Sequence, residues 1–131
     1  MKLIINNCIA QKRHRYARGF VYDPSSKDKK IAIQQIKEQF TGKPYTDGLK
    51  IKFVFHIKRP KAHFRTGKYA NELKKTAPVY HTKRPDVDNF VKFYLDVLQM
   101  DKTVYLDDSQ VIELYAKKEY DDKESYTEII I

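Results

Sequence analysis

Two short acidic clusters carry the side chains of this sequence that are best suited to chemistry. Asp86 and Asp88 stand one residue apart in the stretch KRPDVDNFVKFYLDVLQ, and Asp107 and Asp108 follow about twenty residues later. Carboxylates that are held close together repel one another and acquire raised pKa values unless a cation lies between them. Because carboxylate oxygens suit Mg²⁺ or Mn²⁺, the two clusters together predict a divalent metal site.

Each cluster also has a simpler interpretation. Asp86 follows a proline and precedes an apolar helical pattern, where Asp is a common N-cap. Asp88 and Lys92 have the spacing of an ordinary surface ion pair on a helix. The Asp107-Asp108 pair is typical of a turn between two strands. Spacing alone leaves these interpretations open beside the metal site.

The charge of the chain is divided unevenly along its length. The formal net charge is +9, but residues 1–85 hold 21 Lys/Arg against 5 Asp/Glu, whereas residues 86–131 hold 5 against 12. A basic half of this kind indicates a surface that binds a polyanion such as DNA or RNA, without regard to base sequence. The basic residues most suited to phosphate contacts are Arg13, Arg15, Arg18, Arg59, Lys61, Arg65, Lys83 and Arg84.

Composition excludes several classes of protein. Hydrophobic residues make up 41% of the 131 residues, which is too many for a disordered chain, and the length suits one domain. Cys8 is the only cysteine, so neither an intrachain disulfide nor a cysteine metal site can form. The N-terminal apolar run is too short for a signal peptide, and no segment has the length of a membrane span. We therefore expect a cytoplasmic protein with no membrane partner and no small-molecule cofactor.

Hydrophobic periodicity predicts a mixed α/β domain of the order β-α-β-α-β-β-β. The alternation of Leu49, Ile51, Phe53, Phe55 and Ile57 is typical of a half-buried strand, and a continuous apolar stripe marks the helix that follows Asp86. The predicted strands are residues 1–9, 49–57, 103–106, 110–118 and 126–131, and the predicted helices are residues 28–41 and 87–100. Residues 58–85 form a long segment without clear periodicity, which in a small domain is typically functional or mobile.

These elements suggest how the two acidic clusters could meet. A helix of about 14 residues is roughly 21 Å long, and a strand returning beside it could bring Asp107-Asp108 back to the helix start. Metal there, at the edge of a basic surface, suggests phosphodiester hydrolysis, in which the metal activates water and lysines or arginines hold the flanking phosphates. Lys92, four residues after Asp88, lies on the same helix face and could offset charge on the reacting phosphate.

At these residues the sequence resembles the RusA-type Holliday-junction resolvases of bacteria and their phages. The family pattern is Asp-x-Asp-Asn at the start of a helix, a Lys three residues after the Asn, a Leu-Asp pair, and an Asp-Asp-Ser/Ala-Gln-Val run. All four parts are present, as Asp86-Val87-Asp88-Asn89, Lys92, Leu95-Asp96 and residues 107–111. The resemblance covers nearly the whole chain; it is strong over residues 83–118 and loose before residue 50.

The resemblance implies a single α/β (α+β-like) domain over residues 1–131, with a mixed sheet and two main helices, that forms a two-fold homodimer. It implies an endodeoxyribonuclease that uses Mg²⁺, with Mn²⁺ as a substitute, and resolves four-way DNA junctions by paired symmetric nicks in recombination and repair. The essential acids of the family fall on Asp86, Asp88 and Asp108 as metal ligands and catalytic residues, with Asp107 as a further ligand candidate. Its essential lysine falls on Lys92. A phage or prophage origin is consistent with this family.

Two alternatives remain from the sequence. The first is a non-catalytic basic DNA-binding module in which the acids serve only as a helix cap and as turns. The second is a metal nuclease that acts on RNA or on other branched nucleic acid, such as flaps or forks.

Overall fold

The computed structural model describes all 131 residues and contains six strands and two α-helices. In chain order the elements are β1 (Lys2–Asn6), β2 (Arg15–Ala17), β3 (Phe20–Tyr22), α1 (Ser26–Gln39), β4 (Leu49–Lys58), α2 (Val87–Gln99), β5 (Val111–Asp121) and β6 (Tyr126–Ile130). The domain is therefore α+β, with a mixed sheet and two helices, as the sequence predicts. The main helices and long strands lie within a few residues of their predicted bounds.

Four strands form the main sheet in the order β1-β6-β4-β5. The central strand β4 runs antiparallel to β6 and parallel to β5, so that Phe53 lies opposite Ile129 on one side and Ala116 on the other. The strand β1 pairs with β6 alone. The two strands β2 and β3 form a separate antiparallel hairpin outside this sheet.

The hydrophobic core lies between one face of the sheet and both helices. Alternate residues of β4 supply the sheet side, and the apolar stripe of α2 supplies most of the helix side. The rings of Phe55 and Phe90 stack with centroids 4.9 Å apart, and Phe53 lies 6.4 Å from Tyr94. Burying each such side chain contributes on the order of 1.5–3 kcal/mol, so α2 is fixed firmly against the sheet.

The helix α1 closes one edge of the sheet. The side-chain amide of Gln39 accepts from the backbone N–H of Ile4 and donates to its carbonyl, at 2.9 and 2.7 Å. Gln35 accepts from the backbone N–H of Asn6 at 2.8 Å. These side chains satisfy backbone groups of β1 that would otherwise be left unpaired at the sheet edge.

Two predictions of secondary structure are wrong. The basic segment after β1, for which the predicted order contains no element, forms the β2–β3 hairpin and gives the order β-β-β-α-β-α-β-β. Residues 103–106 are not a strand; they make a single bridge, between Tyr45 and Tyr105. After α2 the chain turns at Asp101 and Lys102, both of which have positive φ. Val104 and Tyr105 are then completely buried, so this segment is anchored in the core without forming a strand.

The long segment between β4 and α2 is organised around one aromatic ring. The Arg59 guanidinium lies 4.6 Å from the ring centroid of Tyr120, and the rings of His63 and His81 meet the same tyrosine edge-on at about 5 Å. Arg59 also donates to the Pro78 carbonyl at 2.6 Å. Short 3₁₀ turns at Lys61–His63 and Gly67–Tyr69 complete the segment. No helix of the structure has both the length and the apolar character needed to cross a membrane.

Candidate active site

A lysine of the main sheet holds the backbone just before the start of α2. Lys118, on the helix-facing side of β5, donates from Nζ to the carbonyls of Lys83 and Pro85, at 2.6 and 2.9 Å. The peptide bond between Arg84 and Pro85 is cis. The backbone that leads into the helix is therefore held at two points immediately before Asp86.

Asp86 occupies the N-cap position of α2, but its carboxylate caps nothing. The Asp86 carbonyl accepts from the backbone N–H groups of Asn89 and Phe90, at 3.2 and 3.4 Å, whereas the side chain makes no capping hydrogen bond. An aspartate at an N-cap ordinarily accepts from the N2 or N3 amide. The simpler interpretation of Asp86 as a cap is thus not what the structure shows, and its exposed carboxylate is available to a ligand.

Asp88 and Lys92 lie on the solvent side of α2. The Lys92 ammonium is 3.8 Å from an Asp88 oxygen, and the two side chains are 64% and 65% exposed. An exposed i,i+4 pair at this distance contributes at most a few tenths of a kcal/mol. Breaking this pair costs little free energy, so Asp88 is free to bind a cation and Lys92 is free to bind a phosphate.

Asp108 is held at the other half of α2. The Tyr105 hydroxyl lies 2.8 Å from Asp108 Oδ1 and 3.0 Å from the Leu95 carbonyl. With its nitrogen turned towards the carboxylate, the Gln99 amide donates to both oxygens of Asp108, at 3.0 and 3.2 Å. Burial and the neighbouring Asp108 carboxylate raise the pKa of Tyr105 well above its ordinary value, so that the hydroxyl remains a donor.

Asp107, the neighbouring acid, has a structural role. Its side chain accepts from the backbone N–H and the hydroxyl of Ser109, and these hydrogen bonds lower the pKa of Asp107. Gln110 completes a capping box by accepting from the backbone N–H of Asp107 at 3.0 Å. Of the two adjacent acids, Asp108 is therefore directed towards α2, while Asp107 closes the turn that leads into β5.

Two adjoining clefts flank α2. The Asp86 cleft, of about 860 Å³, is lined by Arg84, Pro85, Asp86 and residues of the 7–13 segment. The Asp108 cleft, of about 630 Å³, is lined by Lys92, Leu95, Asp96, Asp108 and residues 11–14. Gln11, Lys12, Arg13 and Asn89 line both clefts. Lys12 and Arg13 thus form a basic wall, which runs past both acidic positions.

The structure does not bring the acids into one cluster as the sequence analysis expected. No group of three or more Asp, Glu, His or Cys side chains is arranged to hold a metal ion. Asp108 is held beside Leu95, which follows Asp88 by seven positions in the helix, a rise of roughly 10 Å. The expected antiparallel strand at 103–106, which was to carry Asp108 back to the helix start, is absent. The assignment of individual acids as ligands remains a prediction.

The basic wall is positioned by a buried ionic clamp, which we define as Asp23, Lys29 and Asp96. The Lys29 ammonium lies 2.6 Å from Asp23 and 3.1 Å from Asp96, and the Lys29 side chain is 10% exposed. Burial by itself would raise the pKa of Asp23, but the hydrogen bonds from Lys29, Ser25 and Gln11 lower it to about 2. Burial likewise opposes the charge of Lys29, yet the two aspartates raise its pKa.

The clamp and the neighbouring Ser25 each make one hydrogen bond to the chain segment that carries the basic wall. Asp23 accepts from the Gln11 amide at 2.9 Å, and the Ser25 hydroxyl accepts from the backbone N–H of Lys12 at 3.0 Å. The backbone N–H of Gln11 donates to the Asn89 carbonyl at 2.9 Å. Residues 11 and 12 are therefore fixed against both α1 and α2.

Among the eight predicted phosphate contacts, three positions are settled by their surroundings. Arg13 lines both clefts and Arg84 lines the Asp86 cleft, so both lie beside the acids. The Arg59 side chain is only 10% exposed and is occupied by Asp122, Pro78 and the Tyr120 ring, so it organises the long loop instead of presenting a free cation. A phosphate contact by Arg59 stays a prediction, and Arg59 is the one residue of the eight that is not exposed.

The other five lie at the surface. Arg15 and Arg18 belong to the exposed hairpin, and Lys61 and Lys83 are exposed. Arg65 pairs with Glu72 at 2.7 Å and lies 4.0 Å from the Tyr69 ring centroid, with nearly half of its side chain exposed.

The sequence analysis named no role for several residues that shape the site. Tyr105 and Gln99 hold Asp108, Lys12 lines both clefts, and Lys118 fixes the helix start. Lys12 adjoins Arg13 and could have been found from the same basic run. Lys118 contacts a residue 35 positions away, for which the sequence gives no local signal. Tyr105 and Gln99 lie within ten residues of Asp108, but their contacts depend on how the chain turns after α2.

Comparison with known proteins identifies one family. The sequence pattern of the family described as Endodeoxyribonuclease RusA matches residues 7–131 of the chain. No curated protein matches the chain at a significant level. The family match includes the hairpin, both helices and both acidic positions.

Proposed function

Since the chain belongs to the RusA family of endodeoxyribonucleases, which are crossover-junction resolvases, we propose that it cuts four-way DNA junctions by metal-dependent hydrolysis, making two symmetric nicks. The observation that carries the proposal is the Asp86 carboxylate, which stands free at the N-cap of α2 beside a basic wall. Because this carboxylate does not cap the helix, its oxygens are free to bind a cation.

The donor set fits a hard divalent cation by its chemistry. Asp86 and Asp88 offer carboxylate oxygens with few competing partners, and Mg²⁺ is often bound by only one or two protein carboxylates together with water and substrate phosphate. We propose Asp86, Asp88 and Asp108 as the residues that would hold Mg²⁺, with Mn²⁺ as a substitute. Because Asp108 is held beside Leu95, roughly 10 Å further along α2 than Asp88, it would have to approach the other two acids when the cation and the DNA bind. When bound, the cation lowers the pKa of water and stabilises charge on a phosphoryl oxygen.

The side chains of the protein have complementary tasks in this proposal. Arg13 and Arg84 hold the phosphates that flank the cleaved bond, because each lines a cleft that also contains a proposed acidic ligand. Lys92 offsets the negative charge that develops in the transition state, acting as a point charge close to Asp88. Tyr105 orients Asp108 by donating its hydroxyl proton to the carboxylate.

Two symmetric nicks require two identical sites. A homodimer with a two-fold axis supplies them on a substrate that has the same symmetry, so we propose that the active species is a homodimer. Cutting both strands in this way would serve DNA recombination and repair, in a host or in a prophage.

The proposal is tested with a synthetic four-way junction and Mg²⁺. Asp88→Asn should abolish cutting while junction binding stays intact or becomes tighter, because the change removes one negative charge from a basic surface. Asp101→Asn is the matched control, since Asp101 is an exposed acid paired with Lys37 away from the clefts and its left-handed conformation suits Asn.

Three outcomes would redirect the proposal. Normal cutting by Asp88→Asn would show that the acid is not part of the metal site. Salt-dependent binding without cutting by the wild type would favour a non-catalytic DNA-binding module. Preferential cutting of flaps, forks or RNA in competition with the junction would identify a different branched substrate.

A further inference from the structure

The hairpin of residues 15–22, which we call the arm, exposes large apolar side chains to solvent. Tyr16 and Phe20 are each 74% exposed and Val21 is 69% exposed. All six residues of β2 and β3 are exposed. A two-stranded ribbon of this kind is marginal in water, and apolar groups concentrated on it indicate a surface that a partner covers.

The arm has a firm base beside the candidate site. Its N-terminal approach is held by hydrogen bonds from Gln11 to Asp23 and from Lys12 to Ser25, and its C-terminal end runs directly into Asp23. Lys12, Arg13 and His14, which lead into β2, line the Asp108 cleft. A partner bound to the arm therefore lies next to the cleft that contains Asp108.

The charge of the arm indicates the chemistry of that partner. Residues 11–22 contain Lys12, Arg13, Arg15 and Arg18 and no acidic residue. Cations interleaved with exposed aromatic rings suit a polyanion that offers flat apolar faces, which is the description of nucleic acid with unstacked bases. The same arm on a second copy would bring like charges together, so pairing of arm with arm is disfavoured.

The strand register places the two aromatic rings on opposite faces of the ribbon. Tyr16 pairs with Val21, whereas Phe20 pairs with Ala17, and adjacent pairs along a ribbon point to opposite sides. A ribbon with a ring on each face has the form of a wedge. Proteins that insert such side chains between base steps stack on the separated bases and open the duplex locally.

We propose that the arm enters the branch point of the DNA and stacks Tyr16 and Phe20 on bases exposed at the crossover, so that it selects branched over linear DNA. The inference rests on the proposed function for its substrate, but it concerns recognition and not the cutting step. A branch point offers the unpaired or poorly stacked bases that an intact duplex lacks, which is why the rings would act on the junction alone.

The test compares equilibrium binding to a four-way junction and to a linear duplex of the same length, without Mg²⁺. We expect Tyr16→Ala/Phe20→Ala to weaken junction binding on the order of 10-fold or more, as loss of base stacking does, while duplex binding changes little. Tyr16→Phe/Phe20→Tyr keeps both rings and should keep the preference. Arg15→Gln/Arg18→Gln should weaken binding to both DNAs alike and reduce the salt dependence.

A second readout reports stacking directly. The fluorescence of 2-aminopurine placed at the branch point should change when the wild type binds and should not change with Tyr16→Ala/Phe20→Ala. Thermal melting of this variant should match the wild type, because both rings are exposed.

The possible outcomes separate this inference from the proposed function. If the alanine variant kept the junction preference, or if it lost junction and duplex binding equally, the arm would not be the selector. Dissociation of a dimer by the alanine changes would instead assign the arm to a contact between copies and overturn the inference. A wild type that selects junctions through the two rings but cuts none would uphold the arm and refute the proposed function.

Discussion

Replacing Lys29 with Met removes the cation at the centre of the ionic clamp. The lysine is buried between Asp23 and Asp96, and Met has a similar length without a charge. The change leaves the partly exposed Asp23 with Ser25 and Gln11 but without its cationic partner. We expect this single change to lower both the stability of the domain and its pH dependence.

The magnitude follows from the pKa of Asp23. Its lowering from 3.8 to about 2 corresponds to roughly 2 kcal/mol of favourable interaction with the ionised carboxylate. Water reaches part of Asp23 and half of Asp96, so the loss at neutral pH should be about 1–3 kcal/mol, below the 3–5 kcal/mol typical of a fully buried broken pair.

The sign of the pH effect is fixed by the direction of each shift. Asp23 has a lower pKa in the folded state, so its contribution is present above about pH 4 and is lost as the pH falls towards 2. Lys29 has a raised pKa, so its contribution is present at neutral pH and is lost only as the pH rises beyond 10.5 and through the folded value. The loss of stability between about pH 4 and pH 2, which we call the acid limb, therefore measures the contribution of the clamp.

Urea unfolding at pH 7 and at several values between pH 5 and pH 2.5 provides the assay. The wild type should lose more stability over the acid limb than Lys29→Met, because the variant returns the pKa of Asp23 towards its ordinary value. Lys30→Met, at the exposed neighbouring position, should stay within about 0.5 kcal/mol of the wild type. Parallel acid limbs for the wild type and Lys29→Met would refute the argument.

Three further predictions concern the site and the core. Tyr105→Phe should slow junction cutting by about 10-fold or more, the effect of losing one hydrogen bond of about 1.5–3 kcal/mol to a charged group, and should leave junction binding unchanged. Cutting at the wild-type rate would exclude a positioning role on Asp108. Phe93→Ala should cost about 3–5 kcal/mol in denaturant unfolding because the ring is fully buried, whereas Phe20→Ala at the exposed arm should cost less than about 0.5 kcal/mol. Lys118→Met should raise the Mg²⁺ concentration required for half-maximal cutting, because it frees the two carbonyls that precede α2; an unchanged Mg²⁺ titration would contradict this.

Local patterns in the sequence predicted the elements that make up the core. The alternation in β4 and the apolar stripe of α2 both reflect burial of one face, and burial is what the structure shows. The same reasoning failed at residues 103–106, where apolar residues indicated a strand. Val104 and Tyr105 are buried because this segment packs between α2 and the chain before β4. A short apolar run does not distinguish a buried connecting segment from a strand.

The candidate site was predictable in its residue types but not in its arrangement. The helix start, the acids and Arg13 all carry local signals. The position of Asp108 depends on Tyr105 and Gln99, which are close to it in the chain but contact it only because the chain turns after α2. The position of the basic wall depends on Lys29, which pairs with Asp96, 67 positions away. A pairing of that kind arises only when the two helices pack together, so no local pattern predicts it.

The pairing of β1 with β6 alone sets an order for assembly. The two partners stand at opposite ends of the described chain, with Lys2 opposite Ile130, so their ladder closes a loop of more than 120 residues. Contacts of such long sequence separation slow folding, because the chain entropy of closing the loop must be overcome before the contact contributes. During synthesis β4 can already lie against α1 and α2, whereas Leu3 and Ile5 must wait for the last strand before their backbone joins the sheet. Incorporation of β1 into the main sheet therefore depends on β6.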